Sequence, residues 1–107
     1  MPIIKFHVPD HPADDQALAQ MADRIHEVCV GALQAQPDAV QLLIVPSRVL
    51  CGQPVYIEVL YREQPHRNAP VMAQLMQVLA AQSQAVFGAT PRIRCIAVDQ
   101  RLLHALH

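Results

Sequence analysis

The sequence predicts a single α+β domain of 107 residues, built from two β-α-β units that form a four-stranded sheet with two helices on one face. Three observations carry that reading. Strand-like and helix-like segments follow one another in the order β-α-β, β-α-β. The two halves, 2–50 and 54–100, register when about 52 is added to the first, so that Pro2-Ile3-Ile4 falls on Pro54-Val55-Tyr56. A chain of this length has room for one core and no second domain, and it buries roughly two-thirds of its extended surface.

Ile3 to Val8 is rich in Ile, Phe and Val and meets Pro9-Asp10-His11-Pro12, a strand stopped by a turn. From Asp14, the residues Leu18, Met21, Ile25, Val28 and Ala32 recur at steps of three and four, one apolar stripe on a helix that ends before Pro37. Asp14 and Asp15 suit its positive end. Val40 to Val45 is an almost unbroken apolar run, the pattern of a strand covered on both faces, closed by Pro46 and Ser47. Val55 to Tyr61 is the strongest strand signal, and Tyr61 and Arg62 at its end are expected level with the Pro9 turn. After the polar turn 64–68, Asn68 caps a second helix carrying Met72, Leu75, Met76, Leu79 and Val86, with Pro70 in its first turn and Gly88 as its stop. Arg92 to Val98 is the fourth strand. The tail after it fits a helical turn or an edge strand equally well.

Composition narrows the function classes. Hydrophobic residues make up 52% and charged residues 16%, fewer charges than a soluble monomer usually shows, which points to an oligomer. The net charge is −1, and Lys5 and seven scattered arginines form no basic stripe, so a nucleic-acid partner is not expected. No apolar run reaches the roughly 20 residues of a membrane span, and the first dozen residues lack a signal-peptide pattern. No membrane partner is expected, and Cys29, Cys51 and Cys95, odd in number and far apart, fit a reducing, cytoplasmic setting as small buried apolar residues. His7 and His11 are separated by a strand end and a proline turn, so no metal site is expected. Met21, Met72 and Met76 read as core filling.

Pro2 is the candidate for chemistry. Removal of Met1 would free a secondary amine at the edge of a sheet, and an apolar or cationic setting would keep that amine neutral near pH 7, able to take a proton from carbon beside a carbonyl and return it elsewhere. On the residues alone, an edge strand that begins with proline is an equal reading.

The start MPIIKFHVP, the acidic opening of the long helix and the strand VQLLIVP together resemble the tautomerase superfamily over nearly the whole chain. The likeness is to its double-length members, the migration inhibitory factor and 5-carboxymethyl-2-hydroxymuconate isomerase type, and GQPVYIEVLYRE is most similar to an uncharacterised bacterial branch. The resemblance implies a homotrimer around a central barrel, a cofactor-independent keto-enol isomerisation of a small 2-oxo or 2-hydroxy acid, and Pro2 as the catalytic base. It also implies pocket arginines where this chain has Pro12 and Gln41. Aligning 40–45 with 93–98 sets Arg94 against Gln41, so Arg94 from a neighbouring chain is expected to grip the substrate carboxylate, and a guanidinium suits that task by two parallel bonds.

Arg92, Arg94 and Ile96 share a face by period two, and an interface ion pair with Glu58 or Asp99 is the plainer role for the arginines. Arg48, Tyr56 and Arg62 complete the candidate substrate-binding set. For Arg48 the plainer reading is an exposed loop cation, and for Tyr56 a core aromatic. The rival functions are a non-catalytic small-molecule-binding or interaction module of the same fold, and a dimeric ferredoxin-like regulatory domain.

Overall fold

The computed structural model describes residues 1–10 and 13–106. Its elements run β1 (Ile3–Val8), α1 (Asp15–Gly31), β2 (Gln41–Pro46), β3 (Tyr56–Arg62), α2 (Ala69–Phe87) and β4 (Arg92–Val98), with short 3-10 turns at Pro37–Ala39 and Gln100–Leu102. The sheet order is β2-β1-β3-β4. Each β-α-β unit closes a parallel pair, β1 with β2 and β3 with β4, and the halves join by antiparallel pairing of the central strands β1 and β3.

Helix ends follow the local chemistry read from the sequence. Asp14 accepts from the Gln16 amide and Asn68 from the Val71 amide, each satisfying a free N–H of a first turn. Gly88 ends α2 at φ 68, a conformation that favours glycine, with its N–H on the Gln84 carbonyl. The tail resolves into the 3-10 turn, started by the Asp99 side chain on the Arg101 amide.

Period two sorts the central strands. Ile4, Phe6, Val55, Ile57 and Val59 are buried toward the helices, where they meet Met21, Ile25 and Cys29 from α1 and Met72, Leu75 and Leu79 from α2. Each fully buried aliphatic or aromatic side chain there contributes about 1.5–3 kcal/mol relative to exposure. The other face carries three cross-strand rows: Gln41, Ile3, Leu60 and Ile96; Leu43, Lys5, Glu58 and Arg94; and Val45, His7, Tyr56 and Arg92. Among the described residues no helix covers that face.

Three sequence expectations are corrected. β2 lies at the sheet margin and is not covered on both faces: Leu43, on the face without helices, is 36% exposed, and Ile44, on the helix side but at the margin, is 41% exposed. Tyr61 and Arg62 do not lie level with the Pro9 turn. Since β3 runs antiparallel to β1, with Ile3 against Leu60, they stand beside the chain start at the opposite end of the sheet. Cys51 is exposed in the 47–54 loop and not buried, while Cys29 is buried and Cys95 partly so.

The shared core gives a direct check. Leu75→Ala removes a side chain with no exposed surface and is expected to cost about 2–5 kcal/mol in urea unfolding, whereas Gln77→Ala on the exposed side of α2 stays within about 0.5 kcal/mol of the parent.

Candidate active site

Pro2 sits one residue before β1 with its side chain fully buried, and its carbonyl accepts the Gln41 amide at 3.0 Å. The chain start is therefore tied to β2 by a backbone bond. Continued one step past the Ile3 and Leu60 pair, the β1–β3 register sets Pro2 against Tyr61 and Met1 against Arg62.

Two cations stand there. Arg62 ends β3, and Arg67 follows five residues later in the loop that enters α2. Arg67 is held by main-chain oxygens: its Nε donates to the Leu33 carbonyl at 2.9 Å and an Nη donates to the Arg62 carbonyl at 2.8 Å. The Nε of Arg62 is buried with no hydrogen-bond partner among the described residues. Neither guanidinium pairs with a carboxylate within 4.0 Å; among the described residues the ion pair at that distance is Asp99 with Arg101.

The consequence is an uncompensated positive field. Burial, and then the charges of Arg62 and Arg67, hold the Met1 amine at the chain start below its ordinary value. Burial and the neighbouring Arg62 likewise pull Arg67 down. An amine in this setting is neutral at a lower pH than one in water, and two guanidiniums lacking acidic partners suit a carboxylate or enolate.

The other candidate residues divide into two groups. Tyr56, Arg92 and Arg94 come together on the uncovered sheet face, where the Tyr56 hydroxyl donates to the Glu58 carboxylate at 3.2 Å and Glu58 stands across from Arg94. Burial first, then the Glu58 charge and hydrogen bond, raise the Tyr56 phenol, with Arg94 and Arg92 opposing. Arg94 itself donates to its neighbour's carbonyl, Ile93, and is exposed. It lies two strands from β1, about 10 Å across the sheet, so one chain does not bring it to Pro2. Arg48 is at the far end, in an open groove of about 740 Å³ lined also by Pro9, Asp10, Pro46, Ser47 and Pro54. Arg62 alone of the expected substrate-binding residues adjoins Pro2.

Gln41 occupies the start of β2 with its side chain on the uncovered face, where the resemblance implied an arginine, and Pro12 lies outside the described residues. Arg67 was not foreseen. The signal available for it was the cluster Arg62, His66 and Arg67 within six residues, at a strand end that antiparallel pairing carries to the chain start.

No protein-family model matches the sequence, and no curated protein does. Solved structures do resemble the chain in three dimensions. The R7 fused 4-OT wild type asymmetric trimer aligns over 96% of this chain and 91% of its own, at TM-score 0.72 and 16% identity. N1, a member of the cis-3-chloroacrylic acid dehalogenase family, aligns over 96% of this chain and 79% of its own, at TM-score 0.77 and 13% identity. Leishmania major MIF2 aligns over 92% and 89%, at TM-score 0.71 and 18% identity.

The cationic setting predicts a measurable shift. Arg62→Met and Arg67→Met are each expected to raise the titration of the chain-start amine toward its ordinary value, read from the pH dependence of amine acylation followed by mass spectrometry; no change in either variant contradicts the field described here. The fold that the chain shares with these structures is that of the tautomerase superfamily.

Proposed function

We propose that the protein is a cofactor-independent tautomerase of a small 2-oxo or 2-hydroxy acid, with Pro2 as its base once Met1 is removed. The observation that supports this reading is the Met1 amine, one residue before Pro2, which burial and the charges of Arg62 and Arg67 hold below its ordinary value, a setting that an amine freed at Pro2 would share. A neutral Pro2 nitrogen takes a proton from the carbon beside the substrate carbonyl. The bonding pair left behind becomes an enolate, and the proline ammonium returns the proton to oxygen or to a second carbon. Arg62 and Arg67 hold the substrate carboxylate and stabilise the enolate charge as it forms.

The active form is a homotrimer in this reading. The trimeric neighbour in the fused 4-OT series and the uncovered, partly apolar sheet face both favour an assembly. Arg94 and Arg92, exposed on β4, reach a proline site only from a neighbouring chain.

Intact mass of the native protein, light scattering on a sizing column and an enol ketonisation assay test the proposal together. Processed protein is expected to elute as a trimer and to accelerate ketonisation of 2-hydroxymuconate or phenylpyruvate enol, with Pro2→Ala slower by about 100-fold or more. Activity should rise with pH along an acid limb set by the amine. Because Arg62 and Arg67 disfavour the protonated form, removing either charge moves that limb to higher pH. Turnover unchanged in Pro2→Ala overturns the mechanism. Complete retention of Met1 leaves an anion-binding module of the same fold, since an amide nitrogen is not basic.

A further inference from the structure

The two strands that flank the chain start differ in charge. β1 lies between β2 and β3, so Pro2 has Gln41 on one side, held by the bond from the Gln41 amide to the Pro2 carbonyl at 3.0 Å, and the end of β3 on the other. On the β3 side stand Arg62 and Arg67, both of which act on the Met1 amine. On the β2 side the segment from Pro37 to Pro46 carries no cation, and its one charged residue is the exposed Asp38. Gln41 is exposed on the uncovered face, in one row with Ile3 and Leu60, and period two sets Arg62 on that same face two residues past Leu60. Lys5 of β1 belongs to the next row along, across from Glu58. Two strand spacings, about 10 Å, separate β2 from β3, the span of a short carbon chain with its end groups.

We propose that Gln41 sets the substrate class of this site: 2-oxo acids with a single carboxylate are taken in preference to those with a second carboxylate at the far end. The inference deepens the proposed function and rests on it, since it takes Pro2 as the base and Arg62 and Arg67 as the groups that hold the carboxylate. With that carboxylate on the β3 side and the reacting carbon at the Pro2 nitrogen, the remainder of the substrate extends toward β2. What it meets there is a neutral amide, with an acceptor oxygen and an N–H donor group, which serves a hydroxyl, a carbonyl or a plain carbon chain lying over it. A second carboxylate in that position gives up water and gains no charged partner, and the one charge in the adjoining segment, Asp38, has its own sign. An arginine at position 41 would supply the missing cation, whereas glutamine hydrogen-bonds without charge. The selection therefore comes from charge and not from size.

Two acids of equal chain length, 2-oxohexanoate and 2-oxoadipate, differ only in the second carboxylate, and calorimetry of their binding to the full chain reads the selection without needing turnover. The parent is expected to bind 2-oxohexanoate about tenfold more tightly than 2-oxoadipate. Gln41→Arg should tighten 2-oxoadipate by about tenfold and leave 2-oxohexanoate within about twofold of the parent, the second acid serving as the check that the variant is folded. Gln41→Glu should weaken 2-oxoadipate by about threefold or more, again with 2-oxohexanoate little changed. A parent preference for 2-oxoadipate overturns the inference, and its loss in Arg94→Met would then assign the second cation to a neighbouring chain. Affinity for 2-oxoadipate unchanged in both Gln41 variants overturns the inference equally. Failure of the parent to bind either acid overturns instead the reading of Arg62 and Arg67 as carboxylate-binding residues, and the proposed function with it.

Discussion

The antiparallel pairing of β1 with β3 is the constraint from which the site follows. Parallel pairing within each β-α-β unit would be satisfied in either half alone, and the central antiparallel contact, Ile3 to Leu60 through His7 to Tyr56, joins the two strand pairs into one sheet. It also decides what the chain start meets. An antiparallel neighbour brings the end of β3, and the loop beyond it, to the beginning of β1, so Arg62 and Arg67 lie by Pro2. A one-residue slip would turn either Ile4 and Phe6 of β1 or Ile57 and Val59 of β3 out of the helix-side core, so the hydrophobic pattern that stabilises the fold also fixes the cations in place.

The two sheet faces divide the burden differently. The helix side is closed by α1 and α2, and α2 contributes without a single charged residue from Ala69 to Phe87. The other side mixes apolar Leu43, Leu60 and Ile96 with Lys5, Glu58, Arg92 and Arg94. Among the described residues no helix covers this mixed face.

Elements and caps were legible in the sequence because their signals are local. The stripe Leu18, Met21, Ile25, Val28 and Ala32, the Asn68 cap and the Gly88 stop each depend on residues within a few positions, and each holds. What escaped was set by distant pairing. The unbroken run 40–45 reads the same in an edge strand as in a central one, since hydrophobicity reports what each face prefers and not how many neighbours the strand has. The end of the sheet at which Arg62 and Arg67 stand is not legible in the sequence, because period two orders the faces of one strand and carries no information on the direction of the next. Resemblance pointed to cations at Pro12 and Gln41 of the first half, whereas the cations that adjoin Pro2 come from the second.

The way those cations are held matters as much as where they are. Arg101 at the chain's exposed tail pairs with Asp99 at 2.9 Å, and its charge is spent on that contact. Arg67 is anchored instead by two neutral carbonyls, which fix its orientation while leaving its full charge to act on whatever enters. A carboxylate in place of the Leu33 carbonyl would bind Arg67 more strongly, yet it would cancel the field that lowers the Met1 amine. The left-handed turn at Gln34 is found where the Leu33 oxygen serves two loop donors, so backbone strain at one residue accompanies a guanidinium that is aimed but not neutralised.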